Sequence, residues 1–114
     1  MKLAIIGSRD FINYNFLKEN LEPYKPKITL VVSGGARGAD KLGEQWAVEN
    51  KIETLIFLAD WDKFGKRAGY IRNEDIIKNC DCCIAFWDGK SKGTAHSISL
   101  CEKLKKPFKI ISYE

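Results

Sequence analysis

The sequence predicts an α/β protein built on a parallel sheet, and three observations lead there. Apolar, β-rich runs alternate with helix-period segments along all 114 residues. The first four runs are nearly unbroken in their apolar character, which is how strands buried on both faces of a parallel sheet read. Glycine-rich loops follow the strands, whereas the loops that lead into them, such as Lys51-Ile52-Glu53, are short and hold no glycine cluster.

The elements follow in order. A first strand covers residues 3–6 and a first helix about 14–22, with Leu17 and Leu21 on one face and Pro23 barring its continuation. A second strand, 28–32, leads to a helix over 39–49, in which Leu42 and Trp46 lie four apart and Asn50 suits the C-terminal end. A third strand, 54–58, is followed by a helix over 68–78 with Ile76 and Ile77 facing inward. A fourth strand, 82–86, leads to a helix that starts near Thr94, repeats apolar residues at Ile98, Cys101 and Leu104, and cannot pass Pro107. A fifth strand covers 108–111. Strands alternating with helices of this length imply one parallel sheet with helices on both faces. Right-handed crossovers restrict the topology further. The expected result is a Rossmann-like doubly wound five-stranded sheet of order 3-2-1-4-5, whose direction reverses between strands one and four. Open α/β sheets bind ligands at such a switch point.

The length suits a single domain spanning 1–114, and 45% hydrophobic residues can form a core without disulfide or metal. Apolar runs reach five or six residues, against roughly 20 needed to span a bilayer. Met1-Lys2 leads straight into a strand, with no signal-peptide pattern. No membrane association is expected, and the location expected is cytoplasmic. Cys80, Cys82, Cys83 and Cys101 lack the paired spacing of a zinc site and read as reduced thiols packed as small hydrophobes. His96 is the only histidine and reads as packed or solvated, so no metal or cofactor is called for.

Function is expected at the strand-end loops: 7–11, 33–40, 59 onward, and 87–94. The windows 8–12, 33–41, 59–72 and 87–93 hold nine cations and five acids, an excess equal to the whole net charge of +4. An anionic ligand would want that balance. Gly34-Gly35-x-x-Gly38 lets backbone N–H groups approach phosphate oxygens where a helix begins, and Gly89-Lys90-Ser91-Lys92-Gly93-Thr94 repeats the arrangement. There, Ser91 or Thr94 could cap the helix or donate to phosphate. Neither the P-loop nor the dinucleotide fingerprint G-x-G-x-x-G occurs, which argues against Walker-type hydrolysis and classical NAD binding.

Single residues sharpen this. Arg9, after the Gly7-Ser8 turn, suits a phosphate contact through its planar fork. Asp40 opens a helix, as a cap or as an organiser of ribose or the phosphate loop. Trp61 and Trp87 end two strands and either pack or stack on a base. Arg72-Asn73 could reach back to a ligand. The lysines of 103–109 suit a solvated helix end.

Gly7-Ser8-Arg9, Ser33-Gly34-Gly35-Ala36-x-Gly38-Ala39-Asp40, Ala59-Asp60-Trp61, Gly69-x-x-Arg72-Asn73 and Trp87-x-Gly89-x-Ser91-x-Gly93-Thr94 resemble, in order, the motifs of the YspA-type, YpsA-related branch of the SLOG superfamily. The resemblance implies a Rossmann-like sheet whose glycine-rich loops bind nucleotides or their derivatives, and a homo-oligomer. LOG-type phosphoribohydrolases of the superfamily carry a catalytic glutamate three residues after the glycine-threonine pair. Here that position is Ser97, which cannot act as an unactivated general base. No catalytic residue is assigned; Asp10, Asp40, Asp62, Asp88 or Glu74 could supply a carboxylate. The leading expectation is a module that senses, carries or sequesters a nucleotide-like, phosphate-bearing small molecule. A nucleotide hydrolase or N-glycosidase is the alternative. Single-stranded DNA binding, as in the DprA branch, ranks third: it wants a long basic groove with interleaved aromatics, and nine cations tempered by five acids fit a small pocket better. Nucleic acid is therefore expected to be an unlikely partner.

Overall fold

The computed structural model describes residues 1–113 and holds a five-stranded parallel sheet of order β3-β2-β1-β4-β5, as the crossover pattern predicts. The strands are β1 (Lys2–Gly7), β2 (Leu30–Ser33), β3 (Glu53–Ile56), β4 (Cys82–Trp87) and β5 (Phe108–Ser112). The helices are α1 (Tyr14–Leu21), α2 (Ala39–Glu49), α3 (Trp61–Phe64), α4 (Ala68–Lys78) and α5 (Lys92–Lys103). Strand side chains alternate between faces. Leu3, Ile5, Ile84 and Phe86 therefore join one apolar cluster with Leu17, Leu21 and Trp46 from α1 and α2. Ala4, Ile6, Cys83 and Ala85 join the other, with Ile76 and Ile77 of α4 and Ile98 and Cys101 of α5. Cys80, Cys83 and Cys101 are buried and free, and burial pushes the Cys80 thiol up to about 12. None of the helices described is long and apolar enough to cross a membrane.

Four expectations are corrected. The third strand is not buried on both faces. It lies at the edge where the expected order put it, paired only to β2, but Leu55, Ile56 and Leu58 are exposed because α4 and α5 cover the central strands instead. The first helix gives way after Leu21 to a 3₁₀ stretch, Glu22–Lys27. Pro23 is tolerated there because the first helical positions need no N–H partner. The last helix starts at Lys92, two residues early, because the Ser91 side chain is its cap and accepts from the Thr94 N–H at 3.4 Å. The segment read as an open loop after β3 contains α3, whose cap is Asp60, accepting from the Lys63 N–H at 3.1 Å.

Helix α2 lies unusually close to the sheet at Gly43, where a Cβ would stand 2.6 Å from Ile5 Cγ2. Glycine to alanine in a helix interior ordinarily stabilises by roughly 1 kcal/mol. Here Gly43→Ala must lift the helix off β1 and is expected to destabilise by about 1–3 kcal/mol. Urea unfolding measures the sign, and a gain in stability would refute this account of the packing.

Candidate functional site

The carboxyl end of β1 is the junction on which the site is built. A Cβ at Gly7 would collide with the Phe86 carbonyl and stand 2.7 Å from Ala39 Cβ, so β1, β4 and α2 can meet only over a glycine. Ser8, itself buried, ties the three together. Its N–H donates to Phe86 O at 3.0 Å, its carbonyl accepts from Ala39 N–H at 3.3 Å, and its hydroxyl accepts from Asp88 N–H at 3.2 Å.

Two cavities open beside this junction. The first, about 400 Å³, is walled by Gly7, Ser8, Arg9, Asp10, Ala36, Arg37, Asp40, Arg72, Asn73, Asp88, Ser91, Gly93, Thr94 and Ser97, over a floor of Ile6 and Ile76. The second, about 580 Å³, shares Arg9, Ala36, Arg37 and Arg72 with it and adds Gly34, Gly35, Leu58, Ala59 and Trp61. Both glycine loops, the Gly7-Ser8-Arg9 turn and Arg72-Asn73 thus border a single cleft at the switch point between β1 and β4.

Helix α4 clamps the two glycine loops. Arg72 Nη1 donates to Gly34 O at 2.9 Å, and Asn73 Nδ2 donates to Gly93 O at 3.3 Å. The pair is joined by Arg72 Nε donating to Asn73 Oδ1 at 3.2 Å. Asp40 is buried at 6% exposure and braces the first loop, Oδ2 accepting from Ala36 N–H at 3.3 Å. Burial pushes its carboxyl up to about 7, against the pull of the Arg72 guanidinium and the loop amides. Burial likewise lowers Arg72, with Asp40 opposing and Arg9 adding to the effect. For both groups desolvation outweighs their mutual attraction.

The acids at the rim are occupied by the protein's own donors. Asp88 Oδ1 accepts from the Lys90 and Ser91 N–H groups at 2.8 Å each, which holds its carboxyl below the ordinary range. Asp10 accepts from the Tyr113 hydroxyl at 2.8 Å. No ion pair among the described residues occupies Arg9 or Arg37. Ser97, only 2% exposed, borders the first cavity.

Three residues expected at the ligand line neither cavity. Ser33 Oγ is buried and donates to Glu44 Oε2 at 2.7 Å, so it braces β2 against α2. Gly38 lets its loop pass against the Ser8–Arg9 backbone and lines neither cavity. Trp87 donates its indole N–H to Ser91 O at 3.0 Å, packs on the apolar cluster and lines neither cavity, whereas Trp61 lines the second. Of the candidate carboxylates, Asp10, Asp40 and Asp88 reach the first cavity. Asp62 is outside it on the exposed α3, and Glu74 is outside it paired to Lys78 at 2.8 Å. Arg37, counted among the rim cations, and Ser97, singled out as the position of the LOG-type glutamate, border the cavities without having been expected as ligand contacts; Leu58, read as the end of a strand, carried no signal.

Fold and cleft define an open Rossmann-like α/β domain with an anion-suited crevice at its switch point. The chain belongs to the YspA, cpYpsA-related SLOG family, whose sequence model matches residues 1–64. It is 38% identical over 84 residues to the Gene 61 protein of Mycobacterium phage D29, a match covering 68% of this chain and 67% of that one. Its fold is that of DNA processing protein A. The Helicobacter pylori structure gives a TM-score of 0.79 at 21% identity, covering 100% of this chain and 66% of that one. The Streptococcus pneumoniae structure gives 0.83 at 17%, covering 99% and 50%. The chain thus spans about two thirds and one half of those proteins. Fold and family together support a nucleotide- or nucleic-acid-binding module.

The expectation that nucleic acid is an unlikely partner does not stand. The H. pylori protein, whose fold matches the whole of this chain, has a single-stranded DNA binding mode. The charge count behind that expectation weighed every rim acid equally against the cations. Asp10, Asp40, Asp60 and Asp88 instead accept hydrogen bonds from the protein itself, while Arg9 and Arg37 line the cleft.

Proposed function

We propose that this chain binds a nucleotide unit through its phosphate in the first cavity. The observation that carries the reading is convergence: both glycine loops, Arg9, Arg37 and Arg72 border the same space. Arginine forks suit phosphate oxygens, and α2 and α5 both begin at this rim, where a helix N-terminus favours an anion. Gly93 adds a particular argument. A Cβ there would meet nothing within 4 Å, so no packing contact requires a glycine, and the bare backbone leaves room for a ligand to approach. The carboxylates at this cavity are engaged with protein donors, so the reading is of binding rather than cleavage. A second reading, in which the nucleotide unit belongs to a single strand, is favoured by the likeness of the whole chain to a protein that binds one.

Calorimetric titration with nucleoside mono-, di- and triphosphates and a short DNA strand tests both. Arg9→Ala should weaken binding about tenfold or more, the usual size of a lost charge-assisted hydrogen bond. Gly93→Ala should leave the unfolding midpoint unchanged or slightly raised, as alanine in a helix does, and still weaken binding. If neither variant alters binding, the site is elsewhere. A steep fall in affinity between about 50 and 200 mM salt marks the strand; a shallow dependence marks the free nucleotide.

A further inference from the structure

The second cavity differs in chemistry from the first. To the shared arginines and the Gly34–Gly35 backbone it adds apolar side chains and no acid: Leu58 is 72% exposed and Trp61 53%, with Ala59 beside them. Large side chains left in water beside a cationic lip mark a surface for an amphipathic ligand. Trp61 is held in place rather than loose. The Asp60 cap fixes its short helix, and the indole rests on α4 at Gly69, where a Cβ would lie 3.4 Å from Trp61 Cη2 and 3.9 Å from Arg72 Nη2. Indole and guanidinium are therefore neighbours. Arg72 and Arg9 in turn belong to both cavities.

We infer that the second cavity is a base-stacking subsite, so that the ligand is two nucleotides joined by a phosphodiester rather than one. This rests on the phosphate reading above. One unit occupies the first cavity, the linking phosphodiester lies across Arg9 and Arg72, and the second base stacks on Trp61 against Leu58. Stacking on an indole is tolerant of base identity because every base has a π-face. A lip of arginines between two compartments suits a bridging phosphate better than two separate ligands, which would each bring an anion to the same charges. The chemistry is shared by a free dinucleotide and by two adjacent residues of a strand.

The test compares deoxyadenosine 5′-phosphate, the 5′-phosphorylated deoxyadenosine dinucleotide and a ten-residue deoxyadenosine strand on the intact chain and on Trp61→Ala. Trp61 is exposed, so the variant should fold; its unfolding midpoint is the control. The dinucleotide should bind about tenfold or more tighter than the monophosphate. Trp61→Ala should abolish that advantage and leave monophosphate binding within about twofold, and Trp61→Phe should restore part of it. Affinity that levels off at two residues identifies a free dinucleotide, and affinity that keeps rising identifies a strand; both uphold the subsite. Equal affinity for the monophosphate and dinucleotide overturns it and leaves the phosphate site standing. An advantage that survives in Trp61→Ala also overturns it. If none of the three probes binds, the phosphate reading itself falls.

Discussion

Gly38→Ala is expected to destabilise the domain by about 3 kcal/mol or more and to deform the cleft wherever the fold survives. Gly38 has φ +82° and ψ −132°, a region close to glycine's own, and costs there run to about 1–3 kcal/mol for other residues. Its missing side chain also matters. A Cβ would collide with the Ser8 carbonyl and lie 2.6 Å from the Arg9 carbonyl carbon. Backbone cannot rotate away as a side-chain tip can, so the loop 34–38 must retreat from the β1 turn, taking Arg37 away from Arg9. Gly89→Ala separates the two contributions. Gly89 also has positive φ, +80°, but a Cβ there meets nothing within 4 Å. Only backbone strain remains, and about 1 kcal/mol is the expected loss. Urea unfolding of both variants checks this, and equal losses would show that the close approach of the two loops is immaterial.

The second large effect is a pH dependence carried by Asp40. Its carboxyl lies near 7 in the folded chain, above its ordinary value of 3.8, because burial disfavours the charge. Below about pH 4 the group is protonated folded and unfolded, and its contribution is fully present. As pH rises toward 7 the unfolded chain releases the proton that the folded chain keeps, so stability falls by about 1.4 kcal/mol per pH unit, reaching roughly 4 kcal/mol by pH 8. Rim groups held low, such as Asp88, act in the opposite sense, so the contribution must be isolated by difference. Asp40→Asn keeps an oxygen for the Ala36 N–H and removes the titration. Against this variant, the wild type should lose stability steadily between pH 4 and pH 8 in urea unfolding. A difference that stays flat across that range would mean that Asp40 is ionised throughout.

The doubly wound sheet was legible because strands alternate with helices and right-handed crossovers leave few orders, of which 3-2-1-4-5 is the one found. The exposure of β3 was not legible: the expected order put it at the edge, but Leu55, Ile56 and Leu58 form as apolar a run as the central strands, and a run does not say whether helices cover its faces. At the cleft, glycine spacing located the loops, but it did not distinguish Gly38, needed for a close approach, from Gly93, which nothing crowds. Ser33 and Trp87 sit inside the right motifs, and only coordinates show that Glu44 and Ser91 occupy their polar atoms. The same holds for Asp40, whose position opening a helix suggested a cap, while its burial beside Arg72 depends on contacts far apart in the chain.

The bonds from Arg72 to Gly34 and from Asn73 to Gly93 make two consecutive residues a caliper. The gap between the jaws is set by a single peptide unit of α4 and does not adjust on one side alone. A helix advances about 100° per residue, so one residue inserted between Ala68 and Arg72 would swing both grips off their carbonyls together. Drift in this segment is thus constrained in length more tightly than in composition, and a shortened or lengthened turn there would dismantle both halves of the crevice at once.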